Sequence, residues 1–254
     1  EDAQSVAEAL GIPFSTGDIR RELEREVMAP FQADYLAGRT PIPCARCNPT
    51  VKFPAFFRRA EEVGAPFVAT GHYARIRPGA GGAPTLCRGA HANDQVYLLA
   101  RLPQAWLGQL VFPLGDYPKA QVRQLARDFG LPVAEKPDSM EICFIPDGDY
   151  VRFLQEYGGV KLEPGDFVDR SGRVLGRHRG LVCYTTGQRK GLGVSADRPL
   201  YVLEKDAETN RVILGDDRDL FSSTLTAEDV NWISIPGLEG PMRFTAKTRY
   251  SQRE

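Results

Sequence analysis

Residues 53–72 read Phe53-Pro54-Ala55-Phe56-Phe57-Arg58-Arg59-Ala60-Glu61-Glu62-Val63-Gly64-Ala65-Pro66-Phe67-Val68-Ala69-Thr70-Gly71-His72, two periodicities in succession. Phe53, Phe56, Phe57, Ala60 and Val63 recur at helical spacing, and Gly64 closes the run as a left-handed terminator. Phe67 to Thr70 is then a short continuous apolar run, the pattern of a strand buried on both faces of a parallel sheet. A helix feeding a buried strand that ends in a Gly-His turn predicts an α/β fold. In such sheets ligands collect beyond the carboxyl ends of the strands, so Gly71 and His72 are candidate site residues.

Outward from this unit the same syntax continues. Upstream, a helix ends at Leu10 with Gly11 as terminator. A second starts from Asp18 as N-cap and carries Ile19, Leu23, Val27, Phe31 and Tyr35 as its stripe. A Pro-rich loop, Thr40 to Pro49, holds Cys44 and Cys47. Downstream, Tyr73–Arg77 and Thr85–Arg88 predict a hairpin around Pro78 to Gly82, and helices are predicted from near Asn93 or Asp94 and over Lys119–Phe129. From about Gly158 the pattern becomes short alternating segments, Asp166–Asp169 against Val174–Arg177 and Leu200–Glu204 against Arg211–Leu214, which predicts a separate β-rich module. Val230–Ile235 and Arg243–Arg249 read as two more strands. The expected domains are therefore 1–157, 158–222 and 223–254.

With 254 residues, 42% hydrophobic and 26% charged, the chain is a folded protein; a disordered tail, a collagen or a coiled coil is excluded. A net charge of −1 excludes nucleic-acid coating by bulk electrostatics and leaves room for a local basic groove. No run of about 18 apolar residues occurs and the first residues lack a signal-peptide pattern, so no membrane is expected and the cytoplasm is the expected location. Five cysteines, an odd number in a chain of this length, do not read as a secreted disulfide framework.

Three stretches could carry chemistry. Cys44-Ala45-Arg46-Cys47 is a C-x-x-C pair whose spacing fits a redox pair, half a zinc site or part of an iron–sulfur site. Cys143 lies in Lys136-Pro137-Asp138-Ser139-Met140-Glu141-Ile142-Cys143-Phe144, where charged and turn residues surround a thiol as in a loop lining a site. In Tyr184-Thr185-Thr186-Gly187-Gln188-Arg189-Lys190-Gly191-Leu192-Gly193, glycines would let the backbone approach a phosphate while Arg189 and Lys190 supply charge.

Together with Ala69-Thr70-Gly71-His72-Tyr73-Ala74 and Lys52-Phe53, these stretches resemble, in order and spacing, the bacterial tRNA-specific 2-thiouridylase family, over the whole chain. The resemblance implies an incomplete adenine-nucleotide alpha-hydrolase-like domain with a parallel sheet, a small β-rich central domain and the start of a C-terminal β-barrel. It also implies ATP-dependent replacement of the C2 oxygen of wobble uridine 34 of tRNA by sulfur. The uracil oxygen is adenylated, and a cysteine persulfide then delivers sulfur as AMP leaves. By motif match, Cys143 would carry the persulfide and Cys47 would be the nucleophile that releases the sulfur and ends in a disulfide with it. Gly71 matches a position lining the ATP site, and His72 one that meets tRNA. Asn93-Asp94-Gln95 matches a tRNA-contacting stretch that usually opens with Lys, and Arg249-Tyr250 a tRNA-facing pair. Arg189 and Lys190 are added as candidate phosphate contacts. The implied cofactors are ATP and Mg2+, and the implied partners are tRNA and a sulfur-donor protein, either a cysteine desulfurase or a relay protein.

Two departures from the family pattern stand out. Cys44 occupies a position that is often acidic, and Cys44, Cys47 and Cys143 could instead form a three-thiolate iron–sulfur site. The family's Ser-Gly-Gly-x-Asp-Ser loop, which grips ATP, is absent, so it is expected upstream of Glu1 and these residues alone are expected to be inactive. A non-catalytic tRNA- or metal-binding module is the alternative if the chain begins at Glu1.

Overall fold

The computed structural model of the chain describes residues 2–136 and 142–248, with the side chain of residue 80 excepted. In chain order its elements are α1 (Asp2–Leu10), α2 (Arg20–Leu23), α3 (Ala29–Leu36), α4 (Pro43–Cys47), α5 (Phe53–Glu62), β1 (Val68–Ala69), β2 (Ala74–Pro78), β3 (Pro84–Arg88), α6 (Val96–Leu99), β4 (Leu110–Val111), α7 (Lys119–Asp128), α8 (Tyr150–Glu156), β5 (Gly165–Val168), β6 (Val174–His178), β7 (Tyr201–Asp206) and β8 (Arg211–Gly215). Wide π-helical turns, Glu24–Met28 and Asn48–Lys52, join α2 to α3 and α4 to α5. The chain forms two compact units, residues 1–23, 44–138 and 229–254, and residues 24–43 and 139–228.

In the first unit β1 and β4 pair in parallel, Val68 with Leu110 and Ala69 with Val111. The strand expected over residues 67–70 is shorter than its apolar run because Phe67 is 58% exposed. β2 and β3 form the expected hairpin, from Ala74 opposite Arg88 to Pro78 opposite Pro84. Phe53, Val68, Ala74, Leu99, Leu102, Leu107, Leu110 and Phe112 make the core. α7 ends as its sequence predicts, at Gly130 with φ of 64°.

The Pro-rich stretch expected as a loop is helical from Pro43 onward. Proline suits the first helical turn, where its missing N–H has no acceptor to satisfy. Pro49 lies inside the run, where it cannot donate and its ring crowds the carbonyl four residues back. The helix widens there: the Phe53 amide donates to the Asn48 carbonyl, five residues back.

The two strands expected at 230–235 and 243–249 do not form over the described residues 223–248. Two strands alone gain too little to be stable. Asn231 Nδ2 instead donates to the carbonyls of Ala100 and Leu102 (2.8 and 2.9 Å), and Ile233 packs on the first unit's core.

The second unit holds a four-stranded sheet in the order β6-β5-β8-β7. Both expected hairpins are present, and a parallel β5–β8 pairing joins them. Phe167, Val202, Val212 and Leu214 face Phe31, Tyr35 and Leu154 in one core. There Tyr35 stacks on Tyr150 at 4.7 Å and Phe31 meets Phe144 edge-on at 5.4 Å.

Candidate functional site

Cys44 and Cys47 are half-buried on α4, one helical turn apart, and the π-turn begins immediately after Cys47. Such wide turns recur at functional sites because they break the regular backbone ladder. Asn48 is 1% exposed. Its Nδ2 donates to the Leu98 carbonyl (2.8 Å), tying the thiol-bearing helix to α6, and its Oδ1 has no hydrogen-bond partner.

At the carboxyl end of β1, Lys52, Phe56, Ala69, Thr70, Gly71, His72 and Gln95 line a cleft of about 430 Å3. This is where the α/β pattern places a ligand. The Thr70 amide continues the parallel pairing by donating to the Val111 carbonyl (3.1 Å). A Cβ built at Gly71 would meet only Leu114 Cδ1, at an ordinary 3.5 Å, so protein packing does not require glycine there. That open side leaves room for a ligand to approach the backbone.

His72 stacks near Phe53, with centroids 6.1 Å apart, and its Nδ1 lies 2.7 Å from Thr70 Oγ1. Burial, then the charge of Lys52, push its pKa down to about 4. The imidazole is therefore neutral near pH 7, a hydrogen-bonding group and not a cation. This has a stability consequence. Above about pH 6.5 the imidazole is neutral folded and unfolded; between about 6.5 and 4 the unfolded chain takes up the proton and the folded one resists it. Acidification through that window should remove up to about 3 kcal/mol of stability. Urea titrations at pH 7, 5.5 and 4.5 should show this slope in the wild type and a flatter one in His72→Gln; equal slopes would rule it out.

Asn93, Asp94 and Gln95 sit just before α6. Asp94 Oδ1 accepts the amides of Gly89 (2.9 Å) and Val96 (3.2 Å). Gln95 Oε1 accepts the Tyr73 amide (3.0 Å), and the Gln95 amide donates to the Tyr73 carbonyl (2.9 Å). The Gln95 oxygen thus shapes the turn at Tyr73 and the Asp94 oxygen ties the end of β3 to the start of α6, organising roles that motif matching alone does not disclose.

Cys143, Arg189 and Lys190 belong to the second unit. Ile142, Phe144 and Ile145 pack on its core, and a turn closed by the Ile145 amide on the Ile142 carbonyl (2.8 Å) leaves Cys143 exposed. Residues 137–141, including Asp138 and Glu141 beside this thiol, lie outside the described residues, as do Arg249 and Tyr250. Gln188, which the sequence did not single out, fixes the Gly-rich loop: its Oε1 accepts the Thr185 amide and its Nε2 donates to the Lys190 carbonyl, both at 3.0 Å. Arg189 and Lys190 stand exposed on that loop.

The structure thus gathers Lys52, Gly71, His72 and Gln95, with Asn48 tying Cys47's helix to α6. Lys52, Phe56 and Thr70 emerge as lining residues from the fold; the sequence carried Lys52 and Thr70 within the family-like stretches and Phe56 in a helical stripe, without a role for any of them. Among the described residues no three His, Cys, Asp or Glu side chains are gathered to hold a metal ion. Of the three thiols named for an iron–sulfur site, Cys44 and Cys47 lie in the first unit and Cys143 in the second. No helix among the described residues is long and apolar enough to cross a membrane.

Residues 1–147 match a family model described as "tRNA methyl transferase HUP domain", and residues 151–216 one described as "tRNA methyl transferase PRC-barrel domain". The chain is 47% identical over 253 residues to the "tRNA-specific 2-thiouridylase MnmA" of Desulfitobacterium hafniense, covering 98% of this chain and 68% of that protein. Its namesake in Heliobacterium modesticaldum is 50% identical over 254 residues, covering 99% of this chain and 66% of the relative. That of Acetivibrio thermocellus is 45% identical over 256 residues, covering 100% and 71%. The chain spans about two thirds of the length of these relatives. With an α/β unit that carries a thiol pair and a cleft at its strand ends, a β-rich unit after it, and near-complete alignment at this identity, the chain belongs to the tRNA-specific 2-thiouridylase family.

Proposed function

We propose that the protein catalyses ATP-dependent 2-thiolation of wobble uridine 34 in tRNA, with Cys47 and Cys143 as its two working thiols. The observation that carries this reading is the Asn48–Leu98 hydrogen bond. It fastens the helix bearing Cys47 to α6, whose leading Gln95 shapes the Tyr73 turn beside Gly71 and His72. Thiol and nucleotide-type cleft are thereby parts of one unit. The family models' wording names methyl transfer; the relatives' names specify 2-thiouridylase, and two thiols suit the transfer of sulfur.

A uracil C2 oxygen is a poor leaving group until it is joined to AMP, with pyrophosphate released from ATP. The terminal sulfur of a persulfide on Cys143 then adds at C2, and AMP departs with the oxygen. The Cys47 thiolate attacks the Cys143 sulfur, and the sulfur–sulfur bond breaks with its electron pair left on the 2-thiouridine. A Cys47–Cys143 disulfide remains, which an external thiol reduces. Gly71 would border the nucleotide, neutral His72 would meet tRNA through hydrogen bonds, and Arg189, Lys190, Arg249 and Tyr250 would contact it elsewhere. Mg2+ would accompany the ATP and offset its phosphate charge. The persulfide sulfur would come from a cysteine desulfurase or relay protein, and the setting is the cytoplasm.

Expression of the complete protein in a bacterium lacking its own 2-thiouridylase tests this. Mass spectrometry of tRNA nucleosides should show 2-thiouridine derivatives restored; their continued absence, with the protein folded and abundant, overturns the assignment.

A further inference from the structure

Of the seven residues that line the cleft at the end of β1, Lys52 alone is charged, and among the described residues no carboxylate lines the cleft with it. Lys52 is half-buried at the junction of the π-turn and α5. Phe56 and Ala69 supply apolar wall, and Thr70, His72 and Gln95 supply neutral polar groups. A cation in a partly dry, acid-free cleft is stabilised when an anion joins it, and its field is focused by the low-dielectric walls. The ammonium also lies close enough to His72 for its charge to disfavour a second cation there. A lysine in this setting is a point-charge partner for phosphate oxygen.

We infer that Lys52 is a binding residue of this cleft, holding a phosphate oxyanion beside Gly71 and His72. The oxyanion belongs either to the nucleotide or to the RNA backbone; only that choice of sources rests on the thiolation reading given above. No part of the anion site depends on Cys47 or Cys143.

The test is calorimetric titration of the complete protein with α,β-methylene-ATP and, separately, with an unmodified tRNA transcript. Lys52→Gln and Lys52→Met should weaken one of the two by about tenfold or more, the loss of one charge-assisted contact. Lys52→Arg should stay within about threefold of wild type, and Arg59→Gln, on the exposed face of α5, should bind as wild type does. Loss confined to the ATP analogue identifies nucleotide phosphate, and loss confined to tRNA identifies the phosphodiester. If folded Lys52→Gln and Lys52→Met bind both ligands as tightly as wild type, the inference is wrong. A measurement on the wild type alone guards against misfolded variants. Saturation with the ligand that binds there should raise the NMR titration midpoint of His72, because phosphate offsets the Lys52 charge, and a midpoint that neither ligand moves overturns the inference. Wild-type protein that shows Lys52-dependent binding yet leaves tRNA unthiolated keeps the anion site and loses the enzymatic reading.

Discussion

Serine at position 143 is expected to reduce 2-thiouridine in tRNA to background while leaving the protein folded, and serine at position 47 should do the same. A hydroxyl cannot carry a second sulfur atom, nor displace one from a persulfide, so neither step has a slow substitute. Exposure of Cys143 and half-burial of Cys47 on an already irregular helix make both replacements mild for stability, within about 1 kcal/mol. The other cysteines separate the two routes for sulfur. Cys87→Ser, on β3 with its Sγ 3.7 Å from the Thr85 carbonyl, should thiolate normally. Cys183 is buried, and burial raises its pKa, so it is a poor nucleophile. Cys44→Ser should retain thiolation if persulfide chemistry operates, and should lose it together with bound iron if a cluster does. Nucleoside mass spectrometry with iron analysis of anaerobically purified protein reads both. Normal thiolation in Cys47→Ser or Cys143→Ser removes the two-thiol mechanism.

Gly115→Ala should destabilise the protein by about 2–4 kcal/mol, a large part of the stability of an ordinary domain. A Cβ there would lie 2.0 Å from the Ala74 carbonyl oxygen and 2.7 Å from Arg75 Cγ, and the first of these is backbone that no rotamer change can clear. Gly115 also accepts the Ala90 amide (2.8 Å), so a shift of the 112–115 turn would pull on two neighbours at once. Because Ala74 directly follows His72 and Tyr73, the strain would reach the cleft. Urea unfolding should show the midpoint displaced with little change in slope; stability within about 0.5 kcal/mol of wild type would mean that this close approach is absent in solution.

Local sequence grammar was enough for the three hairpins and for most helix ends, because turn residues and Gly terminators act within a few positions. The Gly-His turn was legible for the same reason: a buried strand followed by glycine marks a strand end, and the fold does place a cleft there. The parallel β5–β8 pairing was not legible, since Asp166 meets Arg211 across a gap that no local period encodes. Nor was the packing of Phe31 and Tyr35 on the later β-rich core. The strand patterns at 230–235 and 243–249 were misleading, because alternation reports a capacity to pair and says nothing of whether a partner is present. At the site, residue types gave position: Asp94 and Gln95, matched as tRNA contacts, lie just before α6, and their hold on backbone amides is a further task that no motif announces. The lowered pKa of His72 was not legible either, because it comes from burial and from the charge of Lys52.

The wide turn after Cys47 sets the rotational phase of the whole thiol helix. In a regular α-helix each residue advances about 100°, so the positions stacked beneath Phe53 would be Pro49 and Thr50. Closing one turn over five residues delays the phase by one position, and Asn48 shares the buried row with Phe53 while Pro49 stands only partly covered. The odd residue thus works as a vernier: it places an amide where regular helix would have put an imide ring, and fixes the angle at which the neighbouring sulfur leaves the helix. Removing Pro49 would restore a smooth helix and, by that very repair, turn Cys47 through about 100° relative to α5.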